Sequence, residues 1–204
     1  MEYSDNHISL RGTLAQSPQL SHENHATPFY RFLLEVPRLS GTLDILPVVA
    51  PGPLLEGLDL QEGDSILAEG QIRSHNIQSA DGRHLQIFLF PAVLNLEEGP
   101  SLNEVSIRGT ICRKPILRRT PLGREICDLM LAVPRAFHRA DYLPCILWGS
   151  TAQEAARCQV RDRISIEGRL QSRNYTKLLG EIAETRTAYE VSAMTAEIPE
   201  DLYG

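Results

Sequence analysis

Four aromatic side chains in the second half of the chain, Phe137, Tyr142, Trp148 and Tyr175, stand close to strand ends or loops. Basic residues are interleaved with them. Arg113, Lys114, Arg118, Arg119 and Arg124 fall in one long hairpin segment, and Arg135, Arg139, Arg169, Arg173 and Lys177 are spread through later strands and loops. Flat rings among guanidinium groups suit a flexible polyanion that carries planar bases. Each base stacked on a ring contributes about 1–3 kcal/mol, while the cations track the backbone. Little base preference is expected, because every base has a π-face. The competing reading is that the rings pack in a core and the arginines are solvated. It is strongest for Trp148, which ends an apolar strand, and weakest for Tyr142 and Tyr175, which have polar surroundings.

Other chemistry finds little support. There is no nucleophile motif and no glycine-rich phosphate loop, and carboxylates such as Asp162 and Glu167 flank predicted strands. Cys112, Cys127, Cys145 and Cys158 contain no close-spaced pair, whereas a structural zinc site shows short-spaced ligand pairs. They are expected to be reduced, small apolar groups, in keeping with a reducing cytoplasm. His22 and His25 sit in a polar loop with no acidic or cysteine partner nearby. The expectation is therefore a binding protein and not an enzyme, with no metal and no cofactor.

The elements that position these residues come from a repeat. Asn6, Ser9, Arg11, Gly12, Thr13, Pro18 and Leu20 recur as Asn103, Ser106, Arg108, Gly109, Thr110, Pro115 and Leu117. After a one-residue shift, Asp64, Ile66, Glu69, Gly70, Ser74 and Asn76 recur as Asp162, Ile164, Glu167, Gly168, Ser172 and Asn174. A period this long exceeds a solenoid unit and matches a small domain. Two domains are expected, residues 1–98 and 103–198, joined by the polar break Glu97-Glu98-Gly99-Pro100-Ser101. Each reads as five alternating strands: 7–14, 30–36, 43–49, 64–74 and 85–94, then 105–112, 125–133, 142–148, 162–172 and 185–195. Ser150 is the expected cap of one short helix, between strands three and four of the second copy. The fold class is all-β: two tandem five-stranded OB-fold barrels.

Charge separates the copies. The chain carries a net −6. Its first hundred residues hold five arginines, no lysine and thirteen carboxylates, and the remainder holds fifteen Lys and Arg against thirteen carboxylates. Only the second copy has the sign that phosphates require.

That copy resembles the bacterial single-stranded DNA-binding protein family. The likeness runs from "NEVSIRGTICRKP" through "TPLGREICDLMLAVPR" and "DYLPCILWGSTAQEA" to "RDRISIEGRLQSRNY". It implies single-stranded DNA binding, with Phe137, Tyr142, Trp148 and Tyr175 at the family's stacking positions. It also implies four OB domains per assembly, which two such chains reach as a homodimer, with the exposed first strands as pairing edges. RNA suits the same surface, because nothing here detects a 2′-hydroxyl. The family's long tail with an acidic recruiting tip is not expected here; the last strand is followed by the short acidic segment "AEIPEDLYG".

In the first copy the four stacking positions hold Leu39 or Ser40, Ile45, Pro51 and about Ile77. Phe29, Tyr30, Phe32, Phe88 and Phe90 lie within apolar strands and read as packing. The first copy is therefore expected to serve assembly or partner binding, leaving DNA mainly to the second. The alternative function is a protein-interaction module of a replication or recombination complex with little DNA affinity. No apolar run is long enough for a membrane helix, and a cytoplasmic, nucleoid-associated role in DNA replication, repair or recombination is expected.

Overall fold

The computed structural model describes residues 5–79, 82–179 and 182–198. The first copy is built from β1 (Asn6–Leu14), β2 (Gln19–Asn24), β3 (Thr27–Pro37), β4 (Leu43–Pro51), β5 (Ser65–Ser79) and β6 (Gly82–Leu96). The second contains β7 (Leu102–Ile111), β8 (Ile116–Arg119), β9 (Glu125–Arg135), β10 (Arg139–Trp148), α1 (Gly149–Ala155), β11 (Arg163–Leu179) and β12 (Ile182–Glu197). These include the five expected strands of each copy. β2 and β8 are additional short strands, exposed at every residue, so no burial pattern marks them. α1 lies between β10 and β11 as expected, but Ser150 does not cap it. β10 runs on to Trp148, which takes the cap position, and Gly149 turns the chain at φ 58°, so the helix begins before Ser150.

Alternation along the strands builds each interior. Ile8, Leu10, Phe32, Leu46, Ile72 and Leu89 are buried in the first copy, and Ile107, Leu131, Leu143, Leu147, Leu170 and Val191 in the second. Each barrel closes in the same way. The end of β1 pairs with β3 and that of β7 with β9. Parallel contacts join β4 to β6 and β10 to β12. The repeated Glu-Gly dipeptides mark bulges at Glu69/Gly70 and Glu167/Gly168. A Cβ on Gly168 would lie 2.1 Å from the Ser192 carbonyl oxygen, and one on Gly70 2.2 Å from that of Phe90. Gly168→Ala is accordingly expected to lower stability by about 1–3 kcal/mol, read as an earlier urea midpoint.

The two copies share one sheet, ordered β2-β3-β4-β6-β5-β1-β7-β11-β12-β10-β9-β8. The order is palindromic about β1 and β7, the two first strands expected to serve as pairing edges, which here pair within one chain. Ile8 faces Val105, its own counterpart in the repeat, while Asn6 faces Ile107 and Leu10 faces Asn103. A local two-fold axis therefore passes through Ile8 and Val105. Side chains repeat about it. Asn6 exchanges hydrogen bonds with the backbone of Ile72 at 2.8 and 2.9 Å, and Asn103 with that of Leu170 at 2.7 and 2.9 Å.

Two buried aspartates tie the copies together farther from the axis. Asp44 accepts from the Ser172 amide at 2.7 Å and from Arg38 at 2.6 and 2.7 Å. Asp141 accepts from the Ser74 amide at 2.8 Å and from Arg73 at 3.2 Å, with Arg135 at 3.6 Å. Both carboxylates are fully buried.

Candidate nucleic-acid interface

On β10 the alternation that buries Leu143, Cys145 and Leu147 turns Tyr142, Pro144, Ile146 and Trp148 to the other face. Their partners on β9 are Ala132, Met130, Asp128 and Ile126. Tyr142 is 46% exposed and Trp148 36%. The indole keeps its polar edge satisfied, since Nε1 donates to Ser192 Oγ on β12 at 3.0 Å, so the ring is fixed without being enclosed. Arg118 on β8 forms a two-pronged pair with Asp128, and Arg173 on β11 lies 3.9 Å from Glu190 on β12. These residues form one shallow face.

The other expected contacts divide into groups. Phe137 stands in the β9–β10 turn, 91% exposed, at φ 61°. Tyr175 is 36% exposed with the Arg173 guanidinium 5.9 Å from its ring centre; it lines a separate cleft shared with the first copy, as does Arg135. Arg119 pairs with Glu125 at 3.0 Å. Arg113, Lys114, Arg124 and Arg139 are exposed and make no ion pair among the described residues. Arg169 is half-buried, and its Nε has no hydrogen-bond partner. The Lys177 side chain lies outside the described residues, as do Leu202 and Tyr203 of the terminal segment.

The packing role expected for the first copy's aromatics holds for Phe32, which is fully buried. Phe29, Phe88 and Phe90 are only partly buried and line the cleft. Their signal was a spacing of two along β6, which puts Phe88 and Phe90 on one face. It was masked because Ile87 and Leu89 make the opposite face apolar as well.

The cysteines are free thiols. Burial pushes Cys127 up to about 11 and Cys145 higher still. The folded chain thus keeps protons that the unfolded chain releases once pH passes the ordinary thiol range, about 8.5. Stability is fully present below that range and is lost as pH rises through it toward 11. Urea midpoints measured across this window are expected to fall, and less so in a C127A/C145A chain. Among the described residues no three His, Cys, Asp or Glu side chains gather as a metal would require.

The family model described as "Single-strand binding protein family" matches residues 102–198. Single-stranded DNA-binding protein B of Bacillus subtilis is 36% identical over 80 residues, which cover 71% of that protein and 36% of this chain. This chain belongs to the single-strand binding protein family. Other relatives extend well beyond the match: the 81 residues shared with single-stranded DNA-binding protein 2 of Listeria innocua, 33% identical, cover 51% of that protein. The wild-type single-stranded DNA-binding protein of Thermus aquaticus aligns over 95% of this chain and 92% of its own, with a TM-score of 0.77 at 24% identity. The family fold thus extends over both copies, giving tandem OB domains. No helix among the described residues is long and apolar enough to cross a membrane.

Proposed function

We propose that this family member binds single-stranded DNA without turnover, through the second copy, wherever replication, repair or recombination leaves strands unpaired. The observation that carries the reading is the pairing of Tyr142 and Trp148 on one exposed face, with the indole anchored to Ser192 so that its ring stays open to solvent. Bases stack there and on Phe137 and Tyr175, while Arg113, Lys114 and Arg124 offer uncommitted charge to phosphates. Arg118, Arg119, Arg135 and Arg173 have carboxylate partners and contribute mainly by holding the face in shape. The relatives' own designation as single-stranded DNA-binding proteins supports the same conclusion. Two chains assembled as a homodimer supply four OB domains. Because β1 and β7 are spent within the chain, the dimer must join through another surface.

Trp148 is the only tryptophan, so its fluorescence reports one place. Titration with an unlabelled dT oligonucleotide is expected to quench it, and Trp148→Ala to weaken binding by about 5- to 150-fold with the fold intact. No quenching together with no gel shift would instead favour the protein-interaction reading. An rU oligonucleotide of equal length measures how far the face distinguishes RNA.

A further inference from the structure

The cleft that collects Phe29, Phe88 and Phe90 has a volume of about 910 Å³ and lies between the first copy and the β11–β12 hairpin of the second. Four arginines line it: Arg31 and Arg73 from the first copy, Arg135 and Arg186 from the second. None of its described lining residues is an aspartate or glutamate. The described carboxylates of the first copy therefore leave this surface alone.

The strand registers set each of these residues against a counterpart on the second copy's face. Arg31 pairs with Val49 as Asp128 pairs with Ile146, and Arg73 with Phe88 as Gln171 with Glu190. By the same registers Phe90 stands where Ser192 does, Phe29 where Ile126 does, and Pro51 where Trp148 does. The first copy lacks both aromatics on β4, where Ile45 and Pro51 stand for Tyr142 and Trp148, and has rings on β3 and β6 instead. It also holds Arg31 and Phe88 where the second copy holds Asp128 and Glu190. The barrel with the acidic total thus has the more basic and more aromatic face.

Local contacts show how that face is held. Phe29 stacks on His22 at 4.8 Å and leans on Phe90 at 6.2 Å, and the Arg73 guanidinium lies 5.6 Å from the Phe90 ring centre. Arg73 and Arg135 converge on a single carboxylate, Asp141, which leaves one positive charge in excess, and Arg73 Nε has no hydrogen-bond partner. Arg31 is exposed and has no ion pair among the described residues. Arg186 is paired with Glu184 at 2.7 Å, which leaves Arg31 and the surplus charge of the Arg73–Arg135 pair beside partly buried rings, a combination that suits the binding groove of a single strand.

We infer that this cleft is a second strand-binding site, in which Phe88, Phe90 and Tyr175 receive bases and Arg31 and the Arg73–Arg135 pair receive phosphates. The inference rests on the proposed single-stranded DNA binding and extends the strand's path onto the copy that the family's stacking positions would leave out.

The test transplants the second copy's residues into the cleft, as R31D/F88E. Binding is measured with a dT oligonucleotide of about 16 nucleotides, the upper end of one OB fold's site, and with one twice as long. Trp148 quenching by the short oligonucleotide is expected to persist, while affinity for the long one falls about tenfold or more and the occluded length per chain shrinks. Unchanged long-oligonucleotide affinity and occluded length, with Trp148 quenching intact, would overturn the second site and leave the proposed function standing. Absence of any binding by the unaltered chain would remove both. Circular dichroism checks the fold, and R31D alone, at an exposed position, makes the same test should the double variant unfold.

Discussion

Asp141→Ala is expected to lower the stability of the chain by about 3–5 kcal/mol, the usual cost of removing one partner from a buried ion pair. Asp141 is fully buried and serves three donors from both copies: Arg73, Arg135 and the Ser74 amide. Its loss leaves two guanidiniums facing each other and an amide without an acceptor. Burial first, and then the charge of Arg135, already makes Arg73 less willing than usual to hold its proton. The dyad-related change Asp44→Ala should cost less. The Ser172 amide loses its acceptor there too, but only one guanidinium, Arg38, depends on that carboxylate, and Arg38 keeps a second acceptor in the Ser172 carbonyl oxygen at 2.8 Å. Urea unfolding of both variants measures the difference, and equal costs would contradict this account. Asp141→Asn, which can still accept from Ser74, should fall between wild type and Asp141→Ala.

The second large effect is on DNA affinity and is set by salt. For single strands, log K falls against log salt with a slope of about −0.7 per phosphate neutralised. Arg118, Arg119, Arg135 and Arg173 are compensated by Asp128, Glu125, Asp141 and Glu190, so they displace few counterions. Arg113, Lys114, Arg124 and Arg139 remain, for a slope of about −3. The cleft's excess charge and Arg31 would raise this to about −4, a loss of roughly 300-fold between about 50 and 200 mM salt. R31D/F88E should bring the slope back toward about −3. Fluorescence titrations at several salt concentrations read it directly, and a slope near −7, that of about ten phosphates, would contradict the assignment.

How much of this could be read from the residues depended on whether a signal was local. The repeat, the ten long strands and the helix after Trp148 were legible because alternation and turn residues are local properties. Tyr142 and Trp148 could be placed on one face by counting in twos. The cross-copy role of Asp44 and Asp141 was not legible, because an aspartate's partner 67 or 128 positions away leaves no mark on its neighbours. The net charge of the first hundred residues does not describe the cleft, for a related reason. It sums carboxylates over the whole barrel, whereas the face holding Arg31 and Arg73 is lined by none of the described ones. Phe88 and Phe90 were hidden by the apolar residues between them. They look inward or outward only once β6 has a barrel to belong to.

The two-fold axis through Ile8 and Val105 has a consequence for direction. Two identical domains about such an axis present a crossing strand with the same sequence of contacts whether it is followed 5′ to 3′ or 3′ to 5′. Here one end of the path offers Trp148 with Ser192, and the other offers Phe29 and Phe90 beside Arg31. Joining both copies in one chain lets the two faces differ, so on the proposed path the two directions of travel are not equal in free energy. A single strand is then expected to lie across the molecule with a preferred polarity.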